Sequence, residues 1–157
     1  MFWRVSRKEF EAGKGAGNKR AFRNIISKGQ KPGVIAYSGK EPIGWCAVAP
    51  REIYVALERS RILKPVDDKP VWSVSCLFVR KQDRRKGIST QLLRAAVDFA
   101  ANQGARVVEG YPVEPATEKQ PDPFLWHGTL SAFIAAGFKE VVRRSRSRPV
   151  MRFMIDG

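Results

Sequence analysis

Histidine is almost missing from this chain: His127 is the sole one in 157 residues, and cysteine occurs only at Cys46 and Cys76. With no Cys-x-x-Cys pair and one histidine, neither a zinc site nor a disulfide framework can be assembled from the usual ligand spacings. Both cysteines sit inside apolar, strand-like runs, where cysteine behaves as a small buried hydrophobe. Acidic residues are scarce as well, with 15 Asp and Glu against 29 Lys and Arg, a formal net charge of +14. That excess predicts attraction to anions, among them acidic peptides, nucleic acid and anionic membrane surfaces, without choosing among them. Long apolar runs are absent too. Nothing approaches the roughly 20 residues of a membrane span, and Met1-Phe-Trp-Arg-Val lacks the apolar core of a signal peptide. A soluble, cytoplasmic chain with no membrane partner is expected, with no internal repeat and with residues 1–157 forming a single domain.

What the chain does contain is a strand, a basic glycine loop and a helix in succession. Val71-Trp-Ser-Val-Ser-Cys-Leu-Phe-Val-Arg80 is too short and too rich in strand formers for a helix. Ile88, Leu92, Leu93, Ala96, Phe99 and Ala100 then recur at helical spacing, and Gly104 stands where a helix should close. Between them, Gly87 permits close approach of the backbone to a bound group. The first amides of the helix lack intrahelical acceptors and point outward. With Arg84, Arg85 and Lys86 adding charge, the pattern predicts a site for a phosphate or pyrophosphate carried on a ligand. By contrast, Gly13-Lys-Gly-Ala-Gly17 has neither the spacing nor the preceding strand of a nucleotide loop, and reads as a break between two short helices.

Around this centre the pattern alternates strands and helices. Residues 33–37 and 42–48 read as a hairpin, 51–61 as a helix in which Glu58 and Arg61 can pair, and 64–70 as a connector. Arg106 to Val113 reads as a strand, Leu125 to Ala136 as a helix closed by Gly137, and 139–143 and 149–155 as strands joined by a basic tip. The stretch from Pro112 to Phe124 is too rich in proline for regular structure and long for a connection, as functional loops often are. Such mixing implies an α/β (α+β) fold with a central, partly parallel sheet flanked by helices.

Arg84-x-x-Gly87-x-Ser89, following the strand that ends Leu77-Phe78-Val79, resembles motif A of the GNAT superfamily of acyl-CoA-dependent N-acetyltransferases. In that motif, Gln or Arg, two residues and Gly are followed by one residue and Gly or Ala, so Ser89 is a small departure. The preceding hairpin, the strand at Arg106 and the Ala136-Gly137-Phe138 closing a helix resemble the family in the same order. Residues 1 to 30 and the proline-rich loop have no clear counterpart. The resemblance implies acetyl-CoA as co-substrate, with no metal, and an amine acceptor that is a small molecule or a peptide. It also implies that the amides and side chains of Arg84, Arg85, Lys86, Gly87, Ile88, Ser89 and Thr90 hold the CoA pyrophosphate, and that the backbone of Leu77, Phe78 and Val79 pairs with the pantetheine arm.

Acetyl transfer from a thioester to an amine also needs a base and, in some enzymes, an acid. Glu109 is a carboxylate in an otherwise apolar strand, where burial raises its pKa toward a useful range; alternatively it pairs with one of the many arginines. The tyrosine that the family often places four residues before the Gly of Gly-Phe is Phe133 here. Tyr111, which alternates onto the Glu109 face, or His127 or Ser131 could replace it, and a thiolate can also leave without an acid, since a thiol pKa is about 8.5. Trp126 is the candidate acceptor wall, and Glu114, Glu118 and Asp122 could line the entrance. Two functions follow: an N-acetyltransferase working by direct attack, or a non-catalytic module of the same fold using its basic surface for nucleic acid or an acidic partner. The basic tip at 143–148 lacks interleaved aromatics to stack bases, which weighs against nucleic acid. The terminal hairpin leaves a homodimer open through its edge.

Overall fold

The computed structural model describes residues 1–114 and 126–155. Six strands form one mixed sheet in the order β1-β2-β3-β4-β6-β5. β1 (Gly33–Ser38) and β2 (Glu41–Pro50) make the expected antiparallel hairpin. β3 (Trp72–Val79) adds antiparallel to β2, and β4 (Val107–Gly110) adds parallel to β3 through Trp72–Val108, Ser73–Glu109 and Val74–Gly110. β5 (Lys139–Arg143) and β6 (Pro149–Met154) close the far side, β6 lying antiparallel between β4 and β5. The mixed, partly parallel sheet with flanking helices is the architecture that the alternating pattern predicts.

Each face of the sheet has its own core. On one face lies α4 (Ile88–Ala101), whose Leu92, Leu93, Ala96, Val97 and Ala100 stack at helical spacing against Cys46, Val48, Val74, Leu77 and Val79. Burying each such Val or Leu contributes about 1.5–3 kcal/mol. α5 (Leu130–Ala135) joins the same core through Phe133, and Phe138 folds back onto it with the rings 4.9 Å apart. On the other face Tyr54, Leu57 and Leu63 pack on Ala49, Tyr111 and Val150, with Trp3 against them. α1 (Arg7–Ala12) starts with a Ser6–Glu9 capping box, as its Ser-x-x-Glu sequence dictates. α2 (Ala16–Ser27) follows, and its Phe22 ring lies 5.7 Å from Trp45. Trp45 alternates away from the buried Cys46, so α2 covers the face opposite α4.

Three expected elements are shorter than their patterns. The 51–61 helix is a 3₁₀ turn at Arg51–Ile53 followed by one α-turn, α3 (Val55–Glu58), and Glu58 pairs with Arg51 at 3.0 Å instead of Arg61. Arg51 is buried and draws its own turn into the core, which overrides the local spacing. The strand from Arg106 ends as a ladder at Gly110, and beyond it Val113 forms an isolated bridge with Thr129. Of the 125–136 helix, Leu125 lies outside the described residues, and among those described the helix begins at Leu130: Gly128 sits at φ 81°, and Thr129 caps the helix by accepting from the Ala132 amide at 3.3 Å.

Candidate functional site

The loop from β3 to α4 is held by its own charges. Arg80 pairs with Asp83 at 2.8 Å and with Glu41 at 3.0 Å, Lys86 reaches Asp83 at 3.4 Å, and Arg84 Nε donates to the Val79 carbonyl at 3.2 Å. Arg85 takes φ 62°, a left-handed conformation that costs a non-glycine residue about 1–2 kcal/mol. Gly87 follows at φ 75°, ψ 1°, the residue before the first turn of α4. No side chain among the described residues caps this helix, so the Ile88, Ser89 and Thr90 amides face outward with the positive end of the helix dipole. A Cβ added at Gly87 would meet nothing within 4 Å, so the approach to these amides is open. The loop therefore fits an oxyanion, and Arg84, Arg85, Lys86 and Gly87 are all exposed around it.

β3 leads into this loop along an edge that β4 leaves partway. Val74 pairs with Val48 but Cys76 pairs with Ala47, so Ser75 is an extra residue, a bulge on β3. Pairing with β4 stops at Val74–Gly110, immediately before that bulge. From Ser75 onward the two parallel strands diverge. The apex of the wedge is filled by the Phe133 ring, which abuts the bare backbone of Gly110: a Cβ there would lie 2.1 Å from a ring carbon. Phe133 is fully buried, so the position of the expected phenol is occupied by packing. Of the three backbone positions assigned to a ligand arm, Phe78 pairs with Trp45 of β2, and the Val79 carbonyl accepts from Arg84. The Leu77 amide points into the wedge and donates at 2.8 Å to the Trp126 carbonyl.

Glu109 lies at the parallel junction, 1 % exposed, and its oxygens are fully engaged. Oε1 accepts from Tyr111 Oη at 2.8 Å and Arg51 Nη1 at 3.2 Å, and Oε2 accepts from Arg152 Nε at 2.8 Å. Two guanidinium groups and a phenol hold this carboxylate in place, the arginine pairing that the sequence left open beside the role of base. The network extends outward. Arg152 makes a two-pronged pair with Asp67 at 2.7 and 2.9 Å, and those bonds pull the Asp67 carboxyl down to about 2. Arg51 also donates to the Leu63 carbonyl at 2.7 Å. Tyr111 Oη lies 2.6 Å from Arg51 Nη1 and 2.8 Å from Ser73 Oγ, and burial followed by the Glu109 charge raises its pKa. Tyr111 thus donates to Glu109 and accepts from Arg51. Arg51, Ser73, Asp67 and Arg152 escaped the sequence reading. Only Arg152, a charge alternating with apolar neighbours in a strand, carried a local signal.

His127 is buried with its ring 3.8 Å from Trp126 and 5.4 Å from Trp3. Burial, then the Arg148 charge, pushes its pKa down to about 3, against a backbone bond to Ser75 that raises it. At neutral pH it is an uncharged ring anchored to the bulge. Trp126 is half-buried and meets Phe2 at 5.5 Å and Trp3 at 6.0 Å. Ser131 turns to Thr129, 3.1 Å between hydroxyls. Tyr54, missed by the sequence reading, is 1 % exposed; its hydroxyl lies near Ser75 and among the described residues makes no hydrogen bond of good geometry. Burial raises its pKa, so it carries its proton. Cys76 is half-buried and its thiol pKa is raised by burial, which disfavours a thiolate nucleophile. Glu114 pairs with Arg143, while Glu118 and Asp122 lie outside the described residues, as does most of the proline-rich loop.

A mixed sheet whose splayed central strand runs into an uncapped, glycine-led helix defines an acetyltransferase fold. The chain belongs to the GNAT family: the model of the acetyltransferase (GNAT) family matches residues 1–119. That match starts at the first residue, so the N-terminal segment does have a counterpart, and it ends before the Gly137-Phe138 signature. Among solved structures, the NatC complex bound to Gag peptide and CoA matches at a TM-score of 0.54 and 15 % identity, covering 87 % of this chain and 79 % of that one. Aminoglycoside acetyltransferase AAC(6')-Ib with coenzyme A and kanamycin matches at 0.52 and 21 %, covering 76 % and 64 %. A Bacillus subtilis acetyltransferase in complex with CoA matches at 0.51 and 14 %, covering 96 % and 94 %. A search of curated proteins finds no match.

Proposed function

We propose that the chain transfers an acetyl group from acetyl-CoA to the amine of a small molecule or peptide by direct attack. One observation supports this reading: beyond Val74 no strand among the described residues pairs with that edge of β3, and β3 leads through residues 80–86 to the open start of α4 at Gly87. A ligand with a pyrophosphate at one end and an extended arm matches that continuous track. Acetyl-CoA supplies the activated acyl carbon. The chain's amides from Arg85 to Thr90 bind the pyrophosphate, and the Leu77 amide, released from Trp126, binds the arm. CoA in the related structures supports the choice of donor.

Proton handling follows from the groups that are free. Glu109 positions Tyr111 and the β3–β4 junction instead of accepting the proton. The net charge of +14 disfavours an ammonium near the site, so the amine enters neutral and loses its second proton to water after attack. Tyr54 lies beside the bulge residue Ser75 and carries its proton, and on this reading it donates that proton to the departing thiolate. Tyr54→Phe is expected to lower kcat by up to about 100-fold, at the low end for a general acid because the thiolate leaves readily, with CoA affinity unchanged. Calorimetry with CoA and acetyl-CoA tests the donor: no heat of binding at about 1 mM, where a site contributes roughly −4.1 kcal/mol, would overturn the reading. The alternative, a non-catalytic module, draws on Phe133 and the basic surface. It predicts no acetyl transfer on any amine and steeply salt-dependent binding of nucleic acid.

A further inference from the structure

A cleft of about 290 Å³ opens to solvent at the end of the sheet away from the Gly87 loop. β3 runs from this cleft to the loop, and α4 returns. Trp72, the first residue of β3, lines it together with Phe99 and Gln103 at the closing end of α4, whereas Val79 and Gly87 stand at the opposite ends of the same two elements. At 3.3 Å per strand residue and 1.5 Å per helix residue, the cleft lies about 20 Å from the start of α4.

The other wall comes from the N-terminal third of the chain. The connection from α2 to β1 contributes Gln30 and Lys31, and the segment before α1 contributes Arg4. That segment is anchored: the Ala56 amide donates to the Trp3 carbonyl at 3.1 Å and the Arg4 amide to the Met1 carbonyl at 2.8 Å. The Arg4 guanidinium lies over the Tyr54 ring, 5.1 Å from its centroid.

The chemistry of the lining is one-sided. Arg4 and Lys31 bring two positive charges, and no carboxylate lines the cleft. Neither cation forms an ion pair among the described residues. Trp72 and Phe99 meet edge to face with centroids 5.9 Å apart, a pair to which a third flat ring can add by stacking or by its edge. The cations select an anion, and the rings select a planar one. Size sets the rest. At about 30 Å³ per water the cleft has the volume of about ten waters, which admits one ring bearing one acidic group and excludes a nucleotide.

We propose that this cleft is a second ligand site, separate from the track proposed for acetyl-CoA, and that it binds a monocyclic aromatic carboxylate, its ring against Trp72 and Phe99 and its carboxylate toward Arg4 and Lys31. The assignment does not depend on the acetyl-transfer reading.

Calorimetry at constant ionic strength, with benzoate as the probe, tests it. The native protein is expected to bind one benzoate with a Kd below about 1 mM. Acetate, which lacks the ring, and benzamide, which lacks the charge, should each bind weaker by about tenfold or more. Gln103→Glu sets a carboxylate into the cleft from an exposed position and should weaken benzoate by about tenfold or more, while Gln103→Lys should strengthen it. Lys31→Met, also at an exposed position, should weaken benzoate several-fold and leave urea unfolding unchanged. Saturating CoA should leave the benzoate Kd where it was. No binding of benzoate, equal binding of acetate or benzamide, or an affinity that none of the three variants moves would overturn the proposal. Displacement of benzoate by CoA would overturn it too, by placing the anion at the start of α4. If CoA does not bind while benzoate behaves as described, the acetyl-CoA reading fails and the cleft site stands.

Discussion

Glu109 shows how a single residue's role depends on what reaches it. A carboxylate alone in an apolar strand predicts a raised pKa and a base, and a carboxylate between two guanidinium groups and a phenol is a structural joint. The cost of removing one partner from such a joint exceeds the net worth of the pair, because the charges left behind stay buried. Glu109→Gln is therefore expected to destabilise the fold by about 3–5 kcal/mol in urea unfolding, with Arg51 and Arg152 left uncompensated. If stability is unchanged while turnover falls, the carboxylate is catalytic after all. His127 makes a second prediction at this scale. Its folded pKa, near 3, lies below the ordinary 6.5, so between those values the unfolded chain binds a proton that the folded chain refuses. Its contribution to stability is whole above about pH 6.5 and is lost progressively as pH falls toward 3. Asp67, held down to about 2, adds a loss below about pH 4. His127→Phe should flatten the upper part of that slope, from pH 6.5 to 4, in denaturation measured across pH.

At the scale of elements, the wedge between β3 and β4 depends on three local events: the extra residue at Ser75, the end of pairing at Gly110 and the Phe133 ring seated on that glycine. A methyl group at Gly110 would meet the ring at 2.1 Å, closer than any real contact, and Phe133 is fully buried with little room to retreat. Gly110→Ala should destabilise by about 1–3 kcal/mol through overpacking, and should impair CoA binding as the wedge shifts. Combining it with Phe133→Leu should recover part of the loss, seen as non-additive unfolding free energies. The helix after the wedge was overread from its spacing. Leu125 to Ala136 carries helical periodicity, yet Gly128 and the Thr129 cap hold back its start to Leu130, freeing Trp126 to reach Leu77.

For the whole molecule, charge is the dominant quantity. On the acetyl-transfer proposal, a chain of net charge +14 is expected to draw its polyanionic co-substrate to the α4 start by long-range attraction as well as by direct contact. Affinity for CoA should fall several-fold between about 50 mM and 500 mM salt as screening shortens to a few ångström. Truncating the ligand to its pantetheine portion should remove most of that salt dependence. A salt-insensitive affinity would mean that burial of the arm, and not the basic loop, governs binding.

How much of this was legible beforehand divides along the range of the interactions. The strand, the Arg84–Ser89 loop and α4 were readable because their causes are local: alternation, a glycine free to take positive φ, and apolar residues at helical spacing within thirty residues. The two-helix start, the first hairpin and the last hairpin follow for the same reason. No local pattern could place Arg51 on Glu109, 58 residues away, or Asp67 on Arg152, 85 residues away. The sequence by itself determined an open, glycine-led helix start in a mixed α/β frame and the basic charge around it. Only the tertiary structure decided which polar groups are occupied and which stay open, because burial and pairing are properties of neighbours brought together by the fold.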